Sequence, residues 1–327
     1  MENKTKLRLL YLYQHLLQYT DAEHKLTTPQ LIEILDKQYG IEVNRNTLAN
    51  DFKMLEQAGI KFEVVHSQQN QYYYDGRVFD VAELKIMIDA ISSSKFITEK
   101  KSHDLIEKLL TLTTEYRASQ LRRHVHVEGR VKSDNERGYY IVDIINEAIE
   151  RGCKVKFQYA DYSPKKRKVL RHDGGFYVVS PYSLVWDGDY YYVIGFSEMR
   201  GKVQNFRLDR IYRSPDLLPD EPIIPAPRGF NLAEYTKEVF RMFGTDSPVK
   251  VPLLCKNYIM NAVIDHFGTR IPVEEVDKEH FKITPLVCPS PTFYRWVFGW
   301  NGDMQILGPD SVLEEYHSMA RKALGEA

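Results

Sequence analysis

The chain has 327 residues, 43% of them hydrophobic and 27% charged, which predicts a folded protein of two or three domains rather than a disordered chain. Its 44 Lys and Arg nearly balance its 45 Asp and Glu, so the overall basic excess common in nucleic-acid binders is absent and charge must be read locally. No apolar run reaches the roughly 20 residues that cross a bilayer, and charges interrupt the N-terminal apolar stretch. We therefore expect a cytoplasmic protein with no membrane partner.

Motifs of catalysis and of metal binding are missing from the sequence. The three cysteines, Cys153, Cys255 and Cys288, are widely spaced without a CxxC pair, which disfavours a disulfide framework and a zinc site. There is no GxGxxG, GxxxxGKS/T, GxSxG or HExxH motif, each of which would position a phosphate, a nucleophile or a metal. We expect a protein that is not an enzyme and requires no cofactor.

The first three predicted elements are short amphipathic helices. KLRLLYLYQHLLQY has apolar residues at helical spacing, and TTPQLIEILDKQYG follows with Thr27 or Thr28 as N-cap and Gly40 as stop. NRNTLANDFKMLEQAG predicts a third helix capped by Asn44 or Asn46. After it, IKFEVVHSQQNQYYYDG reads as two strands around a polar tip, which is typical of a hairpin.

Three helices and a hairpin, over residues 1–76, are the order of a winged helix-turn-helix, whose third helix enters the major groove while the hairpin reaches the flanking backbone. Asn pairs with adenine, and Arg with guanine or phosphate. An alternative is that the Asn and Thr residues only cap packing helices, and a slight acidic excess in residues 1–66 counts against DNA binding. The candidate DNA-binding residues are Thr28, Asn44, Arg45, Asn46, Thr47, Asn50, Lys53, Gln68 and Gln69.

Residues 77–137 predict a helical connector. Two runs with helical periodicity, VAELKIMIDAISSSKFI and KKSHDLIEKLLTLTTEYRASQL, are separated near the serines at 92–94. In HVHV, His124 and His126 would share one face of a strand and could bind a metal with a third ligand. Since no third ligand is evident, we expect surface histidines and no metal site.

From residue 138 to 215 the pattern is one amphipathic helix followed by strands. The strand-like runs are separated by turn residues, and the local charge is basic, with KKRK at 165–168. One helix with five short strands predicts a small closed barrel of the Sm or SH3 kind. The five runs are KVKFQYA, RKVLR, GFYVVSPYSLVW, DYYYVIGF and VQNFRLDRI.

The stretch SPYSLVWDGDYYYVIGFSEMRGKVQNFRLDRI closely resembles the WYL domain, with Tyr191, Tyr192 and Val193 at the name-giving Trp-Tyr-Leu triplet. Residues 228–327 alternate strands and helices and resemble the C-terminal extension (WCX) of WYL transcription regulators. The resemblance implies an α+β multidomain fold, with a winged helix-turn-helix, a helical connector, an Sm/SH3-like β-barrel and a C-terminal α/β extension. It also implies a DNA-binding regulator, a repressor rather than an activator. We expect a homodimer, because one recognition helix reads only a few base pairs, with the extension as its interface.

The resemblance further implies a ligand surface of aromatic and basic side chains on the barrel. Guanidinium groups bind phosphates and tyrosine rings stack on bases, which suits a nucleotide or a single-stranded nucleic acid as effector. Alternatively, the protein could act only by sensing such a nucleotide or single strand through the barrel, without sequence-specific DNA binding. The matching positions are Tyr159, Tyr182, Tyr192, Arg207 and Arg210, with Arg167 and Arg171 as weaker candidates.

The segment NFRLDRI leaves one question open. In a regular strand, Arg207 and Arg210 would point to opposite faces and could not serve one site. A bulge or a strand end near Asp209 would bring them together. Alternatively, each arginine could pair with a carboxylate, such as Asp209, and close the barrel.

Overall fold

The computed structural model describes residues 2–125, 131–239 and 248–326. The chain forms two compact units, Met1–Asp134 and Asn135–Ala327, and each mixes helices with small antiparallel sheets. Within the described ranges, no helix has both the length and the apolar character that a membrane crossing needs.

The first unit begins with the predicted helices and hairpin. A short strand, β1 (Leu26–Thr27), pairs with the second hairpin strand, β3 (Gln71–Tyr74), which also pairs with the first, β2 (Phe62–Val65). Leu12, Leu16, Leu31, Leu48 and Phe52 form the centre of its core. Its described elements are α1 (Glu2–Tyr19), β1 (Leu26–Thr27), α2 (Thr28–Tyr39), α3 (Arg45–Gln57), β2 (Phe62–Val65), β3 (Gln71–Tyr74), α4 (Val81–Ser93), α5 (Glu99–Leu110) and α6 (Glu115–Arg123).

Local capping fixes where α2 and α3 begin and end. Thr27 caps α2 and forms a capping box with Gln30, while Gly40 ends the helix with a left-handed φ of 64°. Asn44 caps α3 through its side chain. These are three of the positions that the sequence pattern indicates.

The connector helices have a core of their own, built from Leu84, Ile88, Ile106 and Leu110 with their neighbours. The second predicted run is two helices, because Thr114 caps a new helix, α6, and interrupts the periodicity. His124 does not lie on the strand expected at HVHV, because it is the C-cap of α6. His126 lies outside the described residues.

The second unit contains a five-stranded sheet followed by a smaller four-stranded one. Its described elements are α7 (Gly138–Arg151), β4 (Cys153–Gln158), β5 (Ala160–Tyr162), β6 (Lys168–Leu170), β7 (Phe176–Asp187), β8 (Tyr190–Ser197), β9 (Lys202–Arg207), β10 (Asp216–Pro222), α8 (Leu232–Glu238), β11 (Val249–Lys250), β12 (Leu253–Lys256), α9 (Met260–Phe267), β13 (Val273–Glu275), β14 (His280–Ile283), β15 (Leu286–Val287), α10 (Pro291–Phe298), β16 (Met304–Ile306) and α11 (Asp310–Leu324).

The five-stranded sheet is antiparallel, with the order β10-β4-β7-β8-β9, and the described residues do not form the closed barrel expected from the sequence. Its edge strands β10 and β9 do not pair within the described residues, and one isolated bridge, Tyr159 to Ile211, joins the ends of β4 and β9. The run RKVLR forms a strand, β6, as predicted, but this strand pairs with β5 in a separate hairpin and does not join the five-stranded sheet. The fifth strand is instead β10, beyond residue 215, which places Leu217 opposite Val155.

Gly195 lies in β8 beside a register shift of β7 between Pro181 and Ser183. A Cβ atom at Gly195 would lie 2.5 Å from the Ser180 carbonyl oxygen and 2.8 Å from Val179 Cγ1. Backbone cannot move aside as a flexible side chain can, so the two central strands would have to separate.

We therefore expect Gly195→Ala to lower the free energy of unfolding by about 1 to 3 kcal/mol, as overpacking does elsewhere. Urea unfolding followed by circular dichroism measures the loss. Gly299→Ala is the matched control, because Gly299 has φ −62° and its nearest Cβ neighbour is at 3.4 Å. Equal stability of the two variants would contradict the close approach of β7 and β8.

Residues beyond 228 form a core on the sheet β13-β14-β12-β16 and also cover the first sheet. Phe293 and Val297 of α10 are fully buried in this core, and Trp296 and Trp300 are partly buried and pack against it. Phe230, Leu232 and Tyr235 pack against Tyr192 and Ile194 of β8. The segment at α8 therefore belongs to the packing of the five-stranded sheet.

Candidate ligand cleft and DNA-contacting face

The exposed face of α3 is polar, and its buried face holds the helix in place. Leu48, Asp51, Phe52 and Leu55 are buried. The opposite side presents candidates that are all exposed, with the last three at i, i+4 and i+7 spacing on one face: Arg45, Asn46, Asn50 and Lys53.

The other DNA-binding candidates lie around this face with different roles. The Asn44 side-chain oxygen accepts hydrogen bonds from the Thr47 backbone N–H at 2.9 Å and from the Thr47 hydroxyl at 3.0 Å, so this pair is occupied by capping. Thr28 is the half-buried first residue of α2. Gln68 and Gln69 are exposed at the tip between β2 and β3.

An ion pair between Asp51 and Arg8 joins α3 to α1. Its carboxylate accepts hydrogen bonds from Arg8 Nε at 2.6 Å and from Arg8 Nη2 at 2.8 Å, and the two side chains are 2% and 12% exposed. A buried two-point pair of this kind is orienting and geometrically specific. Asp51 therefore faces the protein interior, while its neighbour Asn50 faces outward.

A cleft of about 870 Å³ opens beside the five-stranded sheet in the second unit. Of the seven ligand candidates, two lie elsewhere: Arg167 is exposed in the turn between β5 and β6, and the Tyr182 hydroxyl donates to the Ile224 carbonyl at 2.9 Å. The five that line the cleft are Tyr159, Arg171, Tyr192, Arg207 and Arg210.

Arg207 and Arg210 reach the same cleft because the strand stops between them. β9 ends at Arg207, and a 3-10 turn, Leu208–Arg210, replaces the two-residue alternation that would place the arginines on opposite faces. The strand end near Asp209 is thus the feature that brings the pair together.

Arg207 is held on two sides. Its Nη2 and Nε donate to the Asp209 carboxylate at 2.7 and 3.1 Å, and its guanidinium carbon lies 3.3 Å from the centre of the Tyr190 ring. Burial opposes the charged form, but the hydrogen bond and charge of Asp209 outweigh it and raise the pKa of Arg207. Its guanidinium is therefore a fixed cation whose face is covered by Tyr190.

Asp161 holds the other two predicted arginines. It accepts from Arg171 Nε and Nη2, the latter at 3.0 Å, and from Arg210 Nη1 at 3.3 Å. The Arg171 guanidinium also lies 5.1 Å from the centre of the Tyr159 ring. Burial raises the pKa of Tyr159 to about 12, so its hydroxyl is neutral and accepts a hydrogen bond from the Arg207 backbone N–H.

These geometries predict different stability effects for the two arginines of NFRLDRI. Arg207→Gln leaves the Asp209 carboxylate, whose side chain is 13% exposed, without its charged partner, and should cost about 2 kcal/mol of unfolding free energy. Arg210→Gln breaks a pair with both partners at least 40% exposed, and should cost less than about 1 kcal/mol. Chemical unfolding of the two variants beside wild type measures the difference, and equal losses would refute it.

Several residues that line the cleft were missed in the sequence. Arg200 lies in the β8–β9 turn, while His266, Thr292 and Arg295 come from α9 and α10. Burial lowers the pKa of His266 to about 4, so this ring is neutral at neutral pH. Arg200 and Arg295 make no ion pair with any carboxylate of the described residues.

No local pattern points to His266 or Arg295, since only folding of the extension brings them to the sheet. Arg200 belongs to the basic excess visible between residues 151 and 213. Among the described residues that line the cleft, five are arginines and two, Asp187 and Asp189, are acidic. The described residues contain no group of three His, Cys, Asp or Glu side chains arranged for a metal ion.

Comparison with known proteins identifies one segment. No curated protein matches the chain. Proteasome accessory factor B/C (PafBC) of Arthrobacter aurescens is 15% identical over 93% of this chain, with a TM-score of 0.29, and the chain spans 44% of that protein's length. A structure described as a CRISPR Cas-related protein is 14% identical to this chain, with a TM-score of 0.37, and the match covers 99% of this chain and 83% of that protein's chain. Residues 140–214 match the family model of the WYL domain, the domain that this part of the sequence resembles.

Proposed function

We propose that this protein is a transcription regulator that binds operator DNA through α3 and an anionic effector in the cleft beside its WYL domain. The observation that carries the proposal is the cleft itself, where five arginines and the rings of Tyr159, Tyr177, Tyr190 and Tyr192 line one cavity. Guanidinium groups with neighbouring aromatic rings suit phosphate and base together. The effector class is therefore a nucleotide or a short single-stranded nucleic acid.

The DNA-reading part rests on α1–α3 and the β2–β3 hairpin, interpreted as a winged helix-turn-helix. Arg45 and Asn46 open α3 with exposed side chains, and Asn50 and Lys53 continue that surface. Arginine to guanine and asparagine to adenine are the pairings that such side chains make in the major groove. Two copies are needed to read a site of useful length, so the regulator acts as a homodimer and, in our proposal, as a repressor.

A second candidate function uses the cleft alone. Residues 1–66 contain slightly more acidic than basic residues, which favours a nucleotide- or single-strand-sensing protein whose N-terminal unit does not read DNA. Selection of bound fragments from a random duplex library with the purified chain separates the two. Enrichment of one sequence supports the regulator, and recovery of unselected sequences supports the sensor.

Two variants with opposite expected signs test the cleft. Asp161→Asn removes the carboxylate that neutralises Arg171 and Arg210, so it should bind a nucleotide or oligonucleotide probe more tightly than wild type. Arg210→Gln should bind the same probe more weakly. Equilibrium binding of labelled nucleoside triphosphates and short oligonucleotides gives both affinities.

Asp220→Asn is the control for net charge, because Asp220 is exposed on β10 and does not line the cleft. It should leave probe affinity unchanged. If Asp161→Asn and Asp220→Asn behave alike, or if Arg210→Gln binds as well as wild type, the cleft is not the effector site.

A further inference from the structure

The run KKRK, residues 165–168, is not used by the cleft. It lies at the far end of the β5–β6 hairpin, where Tyr162 pairs with Lys168 and Asp161 with Val169. The turn is closed by hydrogen bonds from Ser163 N to Arg167 O at 2.9 Å and from Lys166 N to Ser163 O at 2.8 Å. The Ser163 hydroxyl also accepts from the Arg167 N–H at 3.2 Å. The cations are therefore presented on a defined turn.

No described carboxylate neutralises the tip of this hairpin. Lys165, Lys166 and Arg167 are exposed and form no ion pair with a described residue. Asp161, the acidic residue of the hairpin, is engaged by Arg171 and Arg210. Adjacent like charges repel, so this cluster does not stabilise the hairpin and is suited to an external polyanion.

The hairpin also carries an exposed aromatic surface. Tyr162 is 60% exposed, and Lys168 Nζ lies 5.7 Å from its ring centre. Proteins that hold single strands stack successive bases on several aromatic rings. The hairpin offers this one ring beside four cations, which fits a phosphate backbone better than a row of unstacked bases.

We propose that the β5–β6 hairpin is a second nucleic-acid contact, distinct from the cleft, that neutralises phosphates of duplex DNA. Lysine and arginine contacts to phosphate position a protein on a duplex and carry no sequence information. The hairpin therefore adds affinity and salt dependence without selecting an operator. This inference rests on the hairpin's own residues and does not require the cleft to bind an effector.

The test is the salt dependence of binding by the full chain to a random-sequence duplex. The slope of log K against log salt is negative and steepens with each neutralised phosphate. The triple variant Lys165→Gln, Lys166→Gln, Arg167→Gln should make this slope shallower by about 0.9 for each phosphate that is no longer neutralised, or by between about 2 and 3 in total. The matched control combines Arg270→Gln, Lys278→Gln and Lys322→Gln, which removes the same charge from exposed positions in the extension. This control should keep the wild-type slope.

Charge-conserving Lys165→Arg with Lys166→Arg should retain the wild-type slope and shows that the hairpin tolerates substitution. An unchanged slope in the hairpin triple variant, or an equal fall in both triple variants, overturns the inference. If the triple variant makes the slope shallower only with single-stranded DNA of the same length, by about 0.7 for each phosphate, the hairpin does not contact duplex DNA. Probe affinity of the cleft variants tests the cleft, whereas the salt dependence of duplex binding tests the hairpin, so the two proposals can fail separately.

Discussion

Replacing Arg45 and Asn46 by alanine should strongly weaken operator binding and leave the fold intact. Both side chains are exposed at the start of α3, outside the core of the unit, so the helix should keep its Asn44 cap. Each base pairing that the variant removes should cost about 1 to 3 kcal/mol. The double variant should then bind its selected operator at least about 30-fold more weakly. Gel-shift titration with the selected sequence measures the change.

The matched control for this variant is Glu56→Ala with Gln57→Ala. These residues are exposed on the last turn of the same helix, and their replacement also creates two alanines. The control should bind the operator as wild type does, and both double variants should melt near the wild-type temperature. Wild-type operator affinity in Arg45→Ala, Asn46→Ala would show that α3 does not read DNA.

The helices of the first unit were predictable because their signals are local. Thr27, Gly40 and Asn44 act within one turn of their own position, and apolar spacing indicates which face packs. What the sequence does not show is the partner of Asp51. A carboxylate in the polar sequence of α3 would be expected to be exposed, and only the approach of α1 places Arg8 against it.

The architecture of the five-stranded sheet was less predictable. RKVLR has strand-like residues, yet its one lysine and two arginines suit a solvent-exposed hairpin better than the sheet. DLLPDEP gives no two-residue alternation and contains two prolines, but Leu217 and Leu218 still pair with β4. Strand pairing is decided by neighbours distant in sequence, which composition does not specify.

The cleft was predictable only in its WYL part. Tyr159, Tyr192, Arg207 and Arg210 were expected from the resemblance, and their convergence depends on the 3-10 turn after β9. Of the two arginines, Arg207 has the more buried carboxylate partner. Side-chain pairing of this kind follows from exposure in the folded chain, and two-residue alternation alone does not report it.

Breaking the Arg8–Asp51 ion pair should cause the largest loss of stability that we expect in the first unit. Removing one partner of a buried ion pair leaves the other charge desolvated, which typically costs about 3 to 5 kcal/mol. Lys37 and Glu33 provide a contrasting exposed pair on α2, with an N–O distance of 2.6 Å and side chains 72% and 58% exposed. Such an exposed i, i+4 pair contributes little to stability, because solvent screens both charges.

Arg8→Ala should therefore lower the free energy of unfolding by about 3 to 5 kcal/mol, while Lys37→Ala should leave it nearly unchanged. Arg8→Met combined with Asp51→Leu removes both charges and should recover most of the loss, because no carboxylate is then left buried alone. Urea unfolding of the three variants, followed by circular dichroism, measures these differences. If Arg8→Ala is as stable as Lys37→Ala, the pair does not hold α3 against α1. If the double replacement is no more stable than Arg8→Ala, the lost stability comes from packing of the arginine stem and not from an unpaired Asp51.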